Sequence, residues 1–167
     1  DGNTYYIEYD CNGGSPEPYT STHKYDVAKE LTANKCVKGG YLFSKWNTKA
    51  DNSGTSYNDK QSVTNLVSTQ TGEITLFAQY TRCGAGTYAA AGATSCTSCP
   101  TGYTSLAGSD SISDCYVKTT AGNYVATANK PQTTCAAGGY CPGGTTIYYG
   151  NTGGRETCPT YYTSSAA

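Results

Sequence analysis

Tyr5-Tyr6-Ile7-Glu8-Tyr9-Asp10-Cys11-Asn12-Gly13-Gly14 reads as a strand that runs straight into a turn. Tyr5, Ile7 and Tyr9 share one face and Tyr6, Glu8 and Asp10 the other, the period-2 alternation of a half-buried strand. Asn12-Gly13-Gly14 ends it, because Asn and Gly tolerate the positive φ that a tight reversal needs. Outward along the chain, Tyr41-Leu42-Phe43-Ser44-Lys45-Trp46 forms a second strand behind Gly39-Gly40. Glu73-Ile74-Thr75-Leu76-Phe77-Ala78-Gln79-Tyr80 forms a third, with Ile74, Leu76 and Ala78 on one face. Asp51-Asn52-Ser53-Gly54 marks a loop between them, and residues 61–68 read as a short helix weakened by Val and Thr. The expected product is a small sheet built around the only Trp, Trp46, with Phe43 and Phe77 as core partners. The fold class is mainly β.

Composition says what must hold such a chain together. Its 167 residues include no Met, 17 Tyr and 20 Gly, and aliphatic side chains are scarce. Burial alone cannot offset backbone entropy in a chain of this kind. Nine cysteines answer the shortage. Only one C-x-x-C occurs, Cys96 to Cys99, so paired zinc knuckles are excluded, and neither a metal nor another cofactor is expected. A staple framework belongs to an oxidising compartment, so the chain is expected to be extracellular or at the cell surface. Cys11 follows the first strand and Cys36 precedes the strand holding Trp46. A bridge between them would contribute about 3 kcal/mol by chain entropy, the other reading being two buried thiols.

The chemistry changes near Thr81, which divides the chain into residues 1–81 and 82–167. The later region holds seven cysteines but only five Leu, Ile or Val residues, Leu106, Ile112, Val117, Val125 and Ile147. Cys83-Gly84-Ala85-Gly86-Thr87-Tyr88 is echoed by Cys135-Ala136-Ala137-Gly138-Gly139-Tyr140. Cys99-Pro100-Thr101-Gly102-Tyr103-Thr104-Ser105 is echoed by Cys158-Pro159-Thr160-Tyr161-Tyr162-Thr163-Ser164, and Ala121-Gly122-Asn123-Tyr124 supplies another Gly-x-Tyr. An extended rod of short strands and turns, each repeat touching its neighbours, is the expected form.

The first region resembles the Listeria–Bacteroides repeat, the B-repeat of internalin-type bacterial surface proteins. The residues that carry the resemblance are Ile7-x-Tyr9-x-x-Asn12-Gly13-Gly14, Gly40-Tyr41-x-Phe43-x-x-Trp46-Asn47-Thr48, Gly54-Thr55-x-Tyr57 and Ile74 through Tyr80. Lys45 stands where that repeat usually has Gly, and Tyr80 where it more often has Trp. The resemblance implies a β-grasp-like module that acts as a spacer or adhesion unit, with no catalytic residue carried over. The second region is similar to ephrin-receptor-like or GCC2/GCC3 repeats, themselves akin to tumour-necrosis-factor-receptor repeats. The motif runs from Cys83-x-x-Gly86-x-Tyr88 through Ser95-Cys96-x-x-Cys99-Pro100-x-Gly102-Tyr103 to Cys115. That similarity implies the pairs Cys83–Cys96 and Cys99–Cys115. Among Cys135, Cys141 and Cys158 two pairings stay open, Cys135–Cys141 with Cys158 unpaired or intermolecular, and Cys141–Cys158.

The sequence carries little that points to catalytic chemistry. His23, the single histidine, reads as a surface-loop residue, with no nucleophile motif beside it. There is no Gly-x-Ser-x-Gly, P-loop or H-E-x-x-H, and Asp51 with Asp59 or Asp110 with Asp114 read as solvated loop acids. Asp51-Asn52-Ser53-Gly54 departs from a calcium loop in its Gly and terminal Glu. The net charge of −1, not sorted into runs, gives no basic face for nucleic acid, and no stretch approaches the ~20 apolar residues of a membrane span. Tyrosines read first as packing residues; the other reading exposes Tyr148-Tyr149 and Tyr161-Tyr162 to a glycan or a host surface protein. The chain opens on Asp1 and stops at Ala167 inside an apparent repeat, so it reads as a fragment of a longer protein. The expected role is a structural or adhesive segment of a stalk, adhesin or filament, partnered by neighbouring repeats or copies of itself, and not an enzyme.

Overall fold

A computed structural model describes residues 3–157. The chain divides into two compact units, Asp1–Arg82 with Ala90–Ser95, and Cys83–Ala89 with Cys96–Ala167. The first carries β1 (Thr4–Asp10), β2 (Tyr19–Lys24), β3 (Lys29–Glu30), β4 (Tyr41–Asn47), β5 (Ser56–Tyr57), β6 (Ser62–Val63) and β7 (Glu73–Arg82). Five of them form one mixed sheet in the order β2-β1-β7-β4-β5. At its centre β1 and β7 run parallel, Ile7 opposite Ile74 and Tyr9 opposite Leu76, while β2 and β4 flank them antiparallel. Period-2 alternation on β1 buries Tyr5, Ile7 and Tyr9 completely. Their partners on β7 are Leu76 and Ala78, also fully buried, with Ile74 half-buried against them.

Trp46 is fully buried, meeting Tyr9 edge-on at 5.0 Å and Phe43 at 5.0 Å between ring centroids. Phe43 and Trp46 lie three positions apart, which regular alternation would send to opposite faces. The pairing register of β4 against β7 shifts between Phe43 and Lys45, and this bulge turns both rings inward. Phe77, expected in the core, lies outside it. It is half-buried, and the pleat puts it on the sheet face opposite Leu76 and Ala78, facing Asp10 and Asn47 across its neighbours. The helix expected over residues 61–68 is also absent. Ser62–Val63 is instead the strand β6, paired with β3, and Val63 enters the core. Lys60 and Asn65 flank it at φ of 55° and 53°, backbone positions that no α-helix accepts. Leu31, between β2 and β4, and Val63 on β6 thus pack into the core where a helix was expected.

The second unit carries β8 (Thr87–Tyr88), β9 (Thr97–Ser98), a 3₁₀ turn (Ile112–Asp114), β10 (Tyr116–Lys118), β11 (Asn123–Tyr124), β12 (Thr133–Thr134), β13 (Gly139–Tyr140), β14 (Thr146–Tyr148) and β15 (Glu156–Thr157). Three ribbons, β8–β9, β11–β12 and β13–β15, begin the same way. Thr87 N donates to Gly84 O, Asn123 N to Thr120 O and Gly139 N to Ala136 O. In each turn a glycine (Gly86, Gly122, Gly138) takes the third position at φ of 79° to 83°, which a type II turn reserves for glycine. The residue after each Gly-x-Tyr, namely Ala89, Val125 and Cys141, is buried. Away from the ribbons, β10 pairs with β14 across some 30 residues of chain, closing a core of Tyr103, Cys115, Val117, Val125 and Ile147.

The ribbons differ in what clamps them. Cys83 and Cys96 bridge the first. Register places Thr119 and Gln132 at the same positions in the second, since Cys99 N donates to Gly86 O just as Cys135 N donates to Gly122 O. There the Gln132 side chain spans the ribbon, accepting from Thr120 N at 2.8 Å and donating to Lys118 O at 3.1 Å. An amide clamp stands where the first ribbon has a covalent one. The double substitution Thr119→Cys with Gln132→Cys is expected to close a further bridge, read as a 2-Da mass loss on oxidation, and to stabilise the unit by about 2 kcal/mol against denaturant.

Candidate functional site

Four disulfides close the described chain: Cys11–Cys36, Cys83–Cys96, Cys99–Cys115 and Cys135–Cys141. Their Cα separations, 5.2 to 6.1 Å, lie in the ordinary range for a bridge. Cys11, Cys36, Cys83 and Cys115 are at most 2% exposed, so a soluble reductant has little access to them. Every cysteine among the described residues is bridged, and none is available there as a nucleophile. Cys158, Tyr161 and Tyr162 lie outside the described residues.

Tyr148 and Tyr149 do not form a row. Tyr148, at the end of β14, is 50% exposed and meets Tyr116 edge-on at 6.0 Å. Tyr149 turns the other way and packs edge-on to the buried Tyr103 at 5.3 Å. Strand alternation separates them. Leu106, 69% exposed, shares a shallow cleft with Tyr148, Tyr116 and Asp114. Asp114 is a structural acid, its carboxylate accepting from the amides of Asp110 and Ser111 to cap the 3₁₀ turn.

His23 is not a surface-loop residue. It sits on β2 and is fully buried, because Tyr19, Ser21 and His23 alternate toward the core. A polar chain runs along that face. Thr32 N donates to the Tyr9 hydroxyl, which shares a 3.2 Å hydrogen bond with Ser21 Oγ, and Ser21 Oγ lies 3.1 Å from His23 Nε2. Nδ1 of His23 has no partner among the described residues, and its ring lies 5.4 Å from Tyr5. The Tyr5 hydroxyl approaches the amides of Asn65 and Leu66 without reaching hydrogen-bond geometry. Burial, reinforced by the Lys29 ammonium, holds the His23 pKa below its usual value. Burial likewise pushes the Tyr80 phenol up to about 12, with Tyr19 and Asp10 adding to it, and its hydroxyl donates to Cys11 O at 2.8 Å.

Asn47 is the second residue that pattern reading missed. Fully buried at the end of β4, it accepts from Lys49 N and Gly54 N and donates to Asn52 Oδ1, Gly54 O and Ser56 Oγ. The Asp51–Gly54 loop wraps around this amide, and Asp51 accepts from both Ser53 N and Ser53 Oγ. A Cβ on Gly54 would collide with Thr48 Oγ1 and Asn47 Oδ1. Asp59 is engaged as well, accepting from Asn34 N. No group of His, Cys, Asp or Glu able to hold a metal occurs among the described residues. No described helix is long and apolar enough to cross a membrane.

Residues 5–79 match the family model of the Listeria-Bacteroides repeat domain. The matched segment begins on the buried face of β1 and ends near the close of β7, so it spans the five-stranded sheet. No curated protein and no solved structure matches the chain.

Two consequences are measurable. The unfolded chain takes up a proton on His23 near pH 6.5, whereas the folded protein, with its lowered pKa, resists doing so. Stability is therefore complete above 6.5 and falls as the pH drops through the folded pKa, by about 1.4 kcal/mol per pH unit inside that window. His23→Gln is expected to flatten this part of a urea-unfolding series followed by Trp46 fluorescence. Asn47→Ala strands the Lys49 and Gly54 amides and should cost about 3 kcal/mol in the same assay.

Proposed function

We propose that the chain is a mechanical segment of a secreted or cell-surface protein, in which staples and a sheared strand pair hold length under load. The observation that carries this reading is the sheet order of the first unit. β1 and β7, nearest the two ends of that unit, are adjacent and parallel. Tension entering at Thr4 and leaving at Arg82 pulls them in opposite directions along their length, so their hydrogen bonds bear load together rather than one by one. The staples supplement this. Each removes freedom from the unfolded chain, by about 2–4 kcal/mol, and hides its loop from extension.

The family match adds to this reading, since the Listeria-Bacteroides repeat is found in surface proteins. Strand order supports treating the first unit as a β-grasp derivative whose crossover helix is replaced by the β3–β6 ribbon. The recurring Gly-x-Tyr ribbons support kinship of the second unit with receptor-type cysteine-rich repeats. On this reading the partners are neighbouring repeats or further copies of the chain, and the role is non-catalytic. Adhesion through exposed tyrosines is a second reading, favoured by Tyr140 and Tyr148 at 55% and 50% exposure.

Single-molecule stretching of the whole chain tests the mechanical role. The first unit should resist to a higher force than the second. The double substitution Cys11→Ser with Cys36→Ser should then lengthen its unfolding step by about 90 Å, the reach of the 25-residue Cys11–Cys36 loop. Extension at negligible force, or a step unchanged by that double substitution, would rule the role out.

A further inference from the structure

The first unit contains a cavity of about 350 Å³. Its walls come from residues 34–38 around Cys36, from β4 and from the Gly92–Thr94 stretch. The volume lies in the range of small-ligand sites. Tyr41, Leu42 and Phe43 give it an apolar side, and Lys35 and Lys38 give it charge. No Asp or Glu lines it.

The two lysines are positioned rather than loose. Lys38 Nζ lies 4.9 Å from the Tyr41 ring centroid and 5.4 Å from that of Tyr80, and Lys35 Nζ lies 4.9 Å from that of Tyr19. The segment that carries them is itself held. The Cys11–Cys36 bridge anchors it, Val37 and Ser15 exchange both backbone hydrogen bonds, and Cys36 N donates to Asn34 Oδ1. Lys35 N is committed to the Tyr19 hydroxyl. The side chains lining the cavity thus bring two ammoniums and the Tyr41 and Thr94 hydroxyls, with no carboxylate among them. A preorganised, donor-rich cavity with an aromatic side suits a ligand that is anionic at one end and has a flat C–H face at the other.

We propose that this cavity binds an acidic sugar, a pyranose carrying one carboxylate, as found along acidic polysaccharides. The carboxylate meets Lys35 and Lys38 while the ring lies against Tyr41 and Phe43. This inference stands apart from the mechanical role, which rests on the β1–β7 pair and the staples.

The test is an amide chemical-shift titration of the full chain with sodium glucuronate, glucose and sodium sulfate in parallel. Glucuronate should give saturable shifts at Lys38, Tyr41, Phe43 and Thr94, with glucose at least about tenfold weaker and sulfate producing no saturation there. Lys35→Gln with Lys38→Gln should weaken glucuronate about tenfold or more, and Lys35→Arg with Lys38→Arg should largely retain it. Unchanged Trp46 fluorescence verifies that the variants are folded. Equal binding of glucose, equal binding of sulfate, indifference to the glutamine pair, or no saturable shift with glucuronate would each overturn the proposal.

Discussion

The contact between Tyr9 and Trp46 is the constraint around which the first unit is organised. Tyr9 is the inward residue at the centre of the sheet, stacked on Tyr19 of β2 at 4.9 Å and met edge-on by Trp46 of β4 at 5.0 Å. One ring thereby joins strands on both sides of the parallel pair. Its hydroxyl does a second job, accepting from Thr32 N and joining Ser21 and His23. Aromatic rings bring large buried area with few rotatable bonds, which suits a chain short of aliphatic side chains. The Phe43–Lys45 bulge follows from the same demand, since Trp46 cannot reach Tyr9 with Phe43 beside it unless the pleat is interrupted.

The second unit solves the same shortage differently. Among the described residues five buried side chains make up its core, and one of these is itself a bridged cysteine. Covalent and hydrogen-bonded clamps take over what burial cannot supply. The exchange of a Cys pair for Thr119 and Gln132 within one ribbon geometry shows that the turn, not the cysteine, defines the ribbon. That turn depends on a glycine at positive φ, and the clamp is added to it.

Much of this was legible from residue order. Alternation on β1 and β7 requires that Tyr5, Ile7, Tyr9, Leu76 and Ala78 share a face, because successive side chains of a strand point to opposite sides. The Gly-x-Tyr echoes already marked where the ribbons of the second unit begin. The burial of His23 depends on its partner strand. Ser21 and His23 look like loop residues until β2 lies antiparallel to β1, and then Tyr5 covers the imidazole. The stretch 61–68 failed as a helix for a local reason, positive φ at Lys60 and Asn65, which no hydrophobic period announces.

The sequence by itself determined β1, β4 and β7, the glycine turns and the reliance on cysteine, since each follows from properties of neighbouring residues: side-chain period, tolerance of positive φ, and too few aliphatic groups. Tertiary structure alone decided the rest. Whether Cys135 joined Cys141, which ring faced Trp46, why Phe77 was turned away from the core, and how Lys35 and Lys38 came to border one cavity all depend on contacts between distant segments. Such contacts are set by register and packing, and one residue's shift at the β4 bulge reverses them.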